Sequence, residues 1–198
     1  KSEFEQICVD YDEPKFRGRQ LFHWIYVQKE RDIQEMDNLP KIFRETLTKK
    51  YRIPSLELAE LKTSPSRKTT KYLFKISTGE KIESVLMEDG GRITVCLSTQ
   101  VGCALGCTFC ATAKMGFQKN LTVGEIVDQF LQLQNTSKYR VTNVVFMGMG
   151  EPFLNYKNVI KACNIINNKN GFNISSRKIT ISTSGILPKI KKFIQDKL

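Results

Sequence analysis

Apolar residues change their period along this 198-residue chain, and the changes divide it. Between residues 16 and 28, Leu21, Phe22, Trp24, Ile25 and Gln28 recur at mostly helical spacing, which predicts a helix. Asn38, Leu39 and Pro40 predict the start of a second, because proline suits a first helical turn. Ile42, Phe43, Leu47 and Tyr51 are expected along one side of it, and Pro54 is expected to end it. Residues 1–61 therefore read as a small helical domain. From residue 62 strands are expected. Residues 71–76 and 81–87 read as two of them, joined by the turn Ser77-Thr78-Gly79-Glu80, and Glu88-Asp89-Gly90-Gly91 makes a second turn. That gives residues 62–92 as a β-hairpin extension. Residues 92–98 are apolar and β-rich.

Beyond residue 98 the pattern alternates. Residues 122–134 carry Val123, Ile126, Val127, Phe130 and Leu131 at helical spacing, and Thr122 with Glu125 forms a capping box that satisfies free backbone amides. Residues 143–147 are a short apolar run, hence a buried strand. Residues 158–168 predict a helix, 178–182 a strand, and Pro188 opens a last helix. The order βαβαβα over residues 93–198 predicts an α/β fold with a parallel sheet.

Composition narrows the picture a little. Forty per cent hydrophobic residues can build a core, and 198 residues suit one large or two small domains. No run approaches the roughly 18 apolar residues of a membrane helix. The opening Lys1-Ser2-Glu3-Phe4-Glu5 has no apolar run, so no signal region is expected there. A soluble cytoplasmic protein with reduced thiols is expected. The net charge of +11 favours a polyanionic partner or a merely soluble basic surface, and the basic residues are too dispersed to mark a patch.

The sharpest chemistry lies in Cys103, Cys107 and Cys110, a C-x3-C-x2-C run. Three thiolates can hold three irons of a [4Fe–4S] cube, leaving one iron open to bind and reduce a small molecule. A zinc site would usually want four protein ligands; Cys96 is a possible fourth, and His23, the sole histidine, is far away. A disulfide framework would need an oxidising compartment. The spacing favours iron–sulfur over zinc without excluding it.

Other candidates carry bland readings beside functional ones. Glu83 shares an alternating face with Val85 and Met87, where a charge needs a job, a partner or an exposed sheet edge. Cys96 reads equally as a small buried hydrophobe, and Cys8 and Cys163 read as structural. Gly148-Met149-Gly150-Glu151-Pro152 lacks the third glycine of a dinucleotide fingerprint, yet its glycines let backbone approach a ligand. Ser182 alone would be a solvated turn serine. The cysteine run, this glycine segment and Ser182-Thr183-Ser184-Gly185 each follow a predicted barrel strand, so all three are expected at one mouth.

Taken together, several stretches are familiar: Phe16-Arg-Gly-Arg-Gln-Leu-Phe-His-Trp-Ile-Tyr26, Cys96-Leu-Ser-Thr-Gln-Val-Gly-Cys103-Ala-Leu-Gly-Cys107-Thr-Phe-Cys110, Gly116-Phe117, Asn120-Leu-Thr-Val-Gly-Glu-Ile126, Met147-Gly-Met-Gly-Glu-Pro152 and Ser182-Thr-Ser-Gly185. From about Pro14 to its last residue the chain resembles the RlmN/Cfr family of radical S-adenosylmethionine (SAM) RNA methyltransferases. Val101 and Pro152 favour the RlmN side.

The resemblance implies a partial (β/α)6 radical SAM barrel, of which this chain supplies about three units, after a helical accessory domain that helps grip RNA. It implies a [4Fe–4S] cluster on Cys103, Cys107 and Cys110, with SAM bound by Gly150 and Glu151 at its amino group and by Ser182 at its sugar or carboxylate side. It implies methylation of carbon 2 of an adenine in 23S ribosomal RNA and transfer RNA. In that scheme one SAM methylates a late cysteine and a second yields the radical that activates this methyl group. The carbon radical adds to the base, Glu83 removes the ring proton, and Cys96 resolves the adduct by forming a disulfide. An external donor such as flavodoxin or ferredoxin, a monomer and no membrane complete the expectation. The family is longer, and no cysteine follows Cys163. The methyl carrier is therefore expected beyond this chain, which alone should be inactive. The alternatives are a Cfr-type adenine C8 methyltransferase and a noncatalytic metal-bound RNA-binding module.

Overall fold

The computed structural model describes residues 2–53 and 56–196, so the expected helix end at Pro54 lies outside the described residues. The chain forms two compact units, one within residues 1–54 with Asn168–Asn173, the other from residues 55–167 with 174–198.

The first unit is helical. Helix α1 (Ser2–Asp10), which periodicity did not mark, is followed by α2 (Phe16–His23) and α3 (Lys41–Lys50). The helix expected to residue 28 does continue, but from Trp24 to Gln28 it widens into a π-helical turn and closes on Lys29 in the left-handed region. A Cβ on Gly18 would lie 2.5 Å from the Glu5 backbone nitrogen, so only glycine lets α1 and α2 approach this closely. Cys8, Leu21, Ile33, Met36, Leu39, Phe43 and Leu47 form the core. The apolar side expected of α3 is narrower than foreseen: Phe43 and Leu47 are buried, whereas Ile42 is 78% exposed and Tyr51 is exposed.

The second unit is built on one six-stranded sheet in the order β1-β2-β3-β4-β7-β8. Its strands are β1 (Glu57–Thr63), β2 (Thr69–Lys75), β3 (Lys81–Asp89), β4 (Arg92–Cys96), β7 (Asn143–Phe146) and β8 (Ile179–Ile181). Strand β1 was not foreseen, and it begins inside the stretch expected to be helical. Strands β1 to β4 run antiparallel, and β4, β7 and β8 run parallel. Cys96 marks the seam, paired with Val85 on one side and Val145 on the other. Two short strands, β5 (Gln100–Val101) and β6 (Lys119–Asn120), make a separate ladder.

Helices α5 (Val123–Thr136), α6 (Tyr156–Asn167) and α7 (Leu187–Gln195) follow β4, β7 and β8 in turn, with the single turn α4 (Ala111–Lys114) after the cysteines. The capping box of α5 is formed: Glu125 N–H donates to Thr122 Oγ1 at 3.2 Å and Thr122 N–H to Glu125 Oε2 at 2.7 Å. One sheet face buries Phe74, Ile82, Leu86, Val95, Val144 and Phe146, each contributing about 2 kcal/mol by burial. Alternation puts Glu83, Val85, Met87, Cys96 and Val145 on the other face, where all are half-buried.

Candidate active site

Because β4, β7 and β8 are parallel, the segments that leave them start from the same edge of the sheet, as expected. Hydrogen bonds then join these segments. Gly148 N–H donates to Leu97 O at 3.2 Å and Thr99 N–H to Met149 O at 2.8 Å. Met149 N–H donates to Ser98 Oγ at 2.9 Å. The glycines serve this packing. A Cβ on Gly148 would stand 2.8 Å from Leu97 O, and one on Gly150, whose φ is +94°, would stand 2.5 Å from Gln100 Cβ. The close approach expected for a ligand is therefore used, at least in part, by the neighbouring segment.

Gln129 of α5, fully buried, supports this junction from beneath. Its Oε1 accepts from Ser84 Oγ and Ser98 N–H, both at 2.8 Å, and its Nε2 donates to Ser98 O at 3.0 Å. Ser98 Oγ donates to Glu83 O at 2.5 Å. Each buried polar atom here has a partner, so the network fixes where the segments leave the sheet.

The cysteine loop is built differently. Cys103 is buried, while Cys107 and Cys110 are half-buried. Few backbone bonds shape it, among them Cys103 N–H to Gly116 O at 3.2 Å and Cys110 N–H to Cys107 O at 3.1 Å. A Cβ on Gly102 would overlap Gly116 O at 1.7 Å, so the loop closes only over glycine. Cys110 is held below the ordinary thiol range, chiefly by the Ala113 backbone N–H. Phe109 beside it is 91% exposed. Among the described residues, no three or more His, Cys, Asp or Glu side chains are drawn together as a metal site. The donor set nonetheless fits an iron–sulfur cluster: three soft, free thiols within eight residues, one of them tuned toward thiolate.

Glu83 does not lie on a sheet edge, since β3 has β2 and β4 on its two sides. Its carboxylate pairs with Lys71 Nζ at 2.7 Å. Its N–H donates to the Met149 thioether at 3.3 Å. Cys96 shares its face, one cross-strand step away, because Val85 is the direct partner of Cys96 and Glu83 stands two residues before Val85. Burial pushes the Cys96 thiol up, with the Met147 N–H acting in the opposite sense. All six cysteines are free, so the disulfide implied by the resemblance is not present among them.

Glu151 is buried and accepts hydrogen bonds from Thr183 Oγ1 (2.6 Å), Phe153 N–H (2.9 Å) and Ser184 N–H (2.8 Å). Ser182 is exposed, and its backbone N–H reaches Phe146 O at 3.3 Å. The hydroxyl that reaches Glu151 is thus on Thr183. Thr183, Gln100 and Gln129 were not singled out from sequence. For Gln129 a signal existed: Ile126 three residues before it and Leu133 four after it put an amide on the apolar side of its helix.

A half-barrel that carries a C-x3-C-x2-C loop beyond its first parallel strand is of the radical SAM class. Residues 97–196 match the model of the Radical SAM superfamily, and residues 1–53 match that of the ribosomal RNA large subunit methyltransferase N-terminal domain. The chain belongs to the radical SAM superfamily, in its RlmN branch.

It is 46% identical over 194 residues to a probable dual-specificity RNA methyltransferase RlmN of Fervidobacterium nodosum, covering 98% of this chain and 55% of the relative. It is 48% identical over 176 residues to the protein of the same name in Thermotoga neapolitana, covering 89% and 51%. The crystal structure of a radical SAM methyltransferase from Sphaerobacter thermophilus superposes with a TM-score of 0.91 at 39% identity, over all of this chain and 59% of that one. The chain thus spans about half the length of the curated relatives it matches, and the fold is a partial radical SAM barrel. No helix among the described residues is long and apolar enough to cross a membrane.

Proposed function

We propose that this chain is part of a methyltransferase that modifies carbon 2 of an adenine in 23S ribosomal RNA and in transfer RNA. The observation that carries the reading is the shared sheet face of Glu83 and Cys96, on the strands that lead into the thiol loop. The relatives' printed names, dual-specificity RNA methyltransferases, support an RNA substrate. So does the charge of +11.

Carbon 2 of adenine lies between two ring nitrogens and is too electron-poor to attack a methyl sulfonium. A [4Fe–4S] cluster on Cys103, Cys107 and Cys110, with SAM, would supply the one-electron chemistry this carbon requires. The protein's own part is positioning and proton handling. The segment of Gly150 and Glu151 stands for the amino group of SAM, and the turn of Ser182, at the end of β8, for its sugar or carboxylate side. Glu83 takes the ring proton on its carboxylate, which Lys71 holds in place. Cys96, whose thiol burial pushes up, gives up its proton as it attacks the adduct's sulfur; the disulfide to a cysteine outside this chain forms as the sulfur–carbon bond breaks, and that electron pair leaves with the base. The target base must leave its stack to reach such a face. The helical unit would grip RNA. A flavodoxin- or ferredoxin-type donor, a cytoplasmic setting and a monomeric protein belong to the same reading.

The test is mass spectrometry of adenosines from 23S ribosomal RNA and transfer RNA, in cells with and without the gene. Loss of 2-methyladenosine is the expected result. Loss of 8-methyladenosine instead would favour the Cfr-type enzyme. No change in either, with a zinc-containing protein, would leave a noncatalytic RNA-binding module.

A further inference from the structure

Glu151 is 4% exposed, and the protein itself occupies both oxygens of its carboxylate. Oε1 accepts from Thr183 Oγ1 and Phe153 N–H, and Oε2 accepts from Ser184 N–H. The Thr183 hydroxyl works in both directions, because it also accepts from Gly185 N–H at 3.2 Å. On the opposite side, Glu151 N–H donates to Gln100 Oε1 at 2.8 Å. Gln100, 1% exposed, donates from Nε2 to Asn120 Oδ1 at 2.7 Å, and its Cβ and Cγ lie against Gly150. Gln100 therefore ties the segment after β4 to the glycine segment, and Glu151 ties the glycine segment to the turn after β8.

A carboxylate that accepts two N–H groups and a hydroxyl holds strong, charge-assisted bonds. Turning it out to grip a ligand's ammonium group would strand the buried Phe153 N–H and release the half-buried Thr183 hydroxyl and the Ser184 N–H, and leaving a buried polar group unpaired is costly. The geometry suits a brace better than a ligand contact.

We infer that Glu151, Thr183 and Gln100 are positioning residues. Together they hold the glycine segment and the serine-threonine turn in register, and the aminoacyl end of SAM meets backbone groups there, not the Glu151 carboxylate. This rests on the reading that the mouth binds SAM. It moves the work of the last turn from Ser182 to Thr183.

Two measurements on the chain decide it. One is amide hydrogen exchange at Phe153 and Ser184 without any cofactor. The other is SAM affinity by equilibrium dialysis after anaerobic reconstitution with iron and sulfide. Thr183→Val keeps the shape and removes the hydroxyl. It should speed exchange at Ser184 and weaken SAM binding, each by about tenfold, the worth of roughly one buried hydrogen bond. Thr183→Ser restores the hydroxyl and should stay within about twofold of wild type on both readouts, well under the worth of one bond. Should valine prevent folding, Thr183→Ala replaces it. Wild-type SAM affinity in Thr183→Val, beside loss of affinity and normal Ser184 protection in Glu151→Gln, would make the carboxylate a direct ligand and overturn the inference. Altered exchange with unaltered affinity would overturn it too. If the wild-type chain binds no SAM, the SAM reading of the mouth fails, and the exchange data still decide whether the brace exists.

Discussion

Residues 102–110 and residues 148–152 lie beyond neighbouring strands, β4 and β7, and are made in opposite ways. The glycine segment is packed against its neighbour and stitched on both sides, through Gln100 and through Glu151. The cysteine loop rests on a few backbone bonds and leaves Phe109 exposed and Cys107 and Cys110 half-buried. Where polar groups are satisfied within the protein, the chain alone sets the shape of a loop. Where soft donors stay accessible, they are available to a ligand. One mouth can thus combine a rigid wall with a reactive rim.

The largest test of this contrast removes a thiol. Cys107→Ala should lose nearly all cluster iron after reconstitution, since one anchor of the cube is gone, while Cys96→Ala should keep it. Iron and sulfide analysis of the two proteins gives the answer, and full iron in Cys107→Ala would end the assignment of the rim.

Backbone substitutions come next. Gly150→Ala meets Gln100 at a positive φ and should cost about 3 kcal/mol in urea unfolding. Gly106→Ala, also at positive φ but with nothing within 4 Å, should cost only about 1 kcal/mol. Equal costs would erase the distinction between wall and rim. Gln129→Leu strands partners at Ser84 and Ser98 and should cost about 2 kcal/mol by the same measurement. A neutral result there would show that the network beneath the wall is dispensable.

The smallest effect is one of titration. The Cys110 thiol is lowered by the Ala113 N–H and the Cys96 thiol is raised by burial. Only thiolate alkylates. Modification of Cys110 by iodoacetamide, followed by peptide mass spectrometry, should therefore rise at lower pH than that of Cys96. Coincident profiles would contradict the stated causes.

Some of this architecture is written locally and some is not. The capping box of α5 is readable because Thr122 and Glu125 are three residues apart and carry their own code. Strands β7 and β8 are readable as apolar runs between helices. Strand β1 is not, because every one of its residues is exposed and a register shift between Leu58 and Glu60 breaks its alternation. The interior position of Glu83's strand is a matter of strand order, which no local pattern holds. The turn Ser182-Thr183-Ser184 offers three hydroxyls, and only the pairing of Phe146 with Ile181 decides which of them turns toward Glu151. The thiol run needed no such context to be noticed, since its spacing is its signal.

The seam at β4 has a bearing on how this unit assembles. Strands β1 to β4 form a meander in which each partner follows the last by a short turn, so their pairing closes small loops. Pairing Cys96 with Val145 must wait until the cysteine loop and all of α5 have been spanned. Loop-closure entropy rises with that separation, and such long-range parallel pairing is slow. During synthesis the meander has all its partners before β7 exists. In pulse-labelled refolding the amides of β2 and β3 should be protected ahead of those of β7 and β8. The strand that carries Cys96 would then serve as the template on which the parallel half grows.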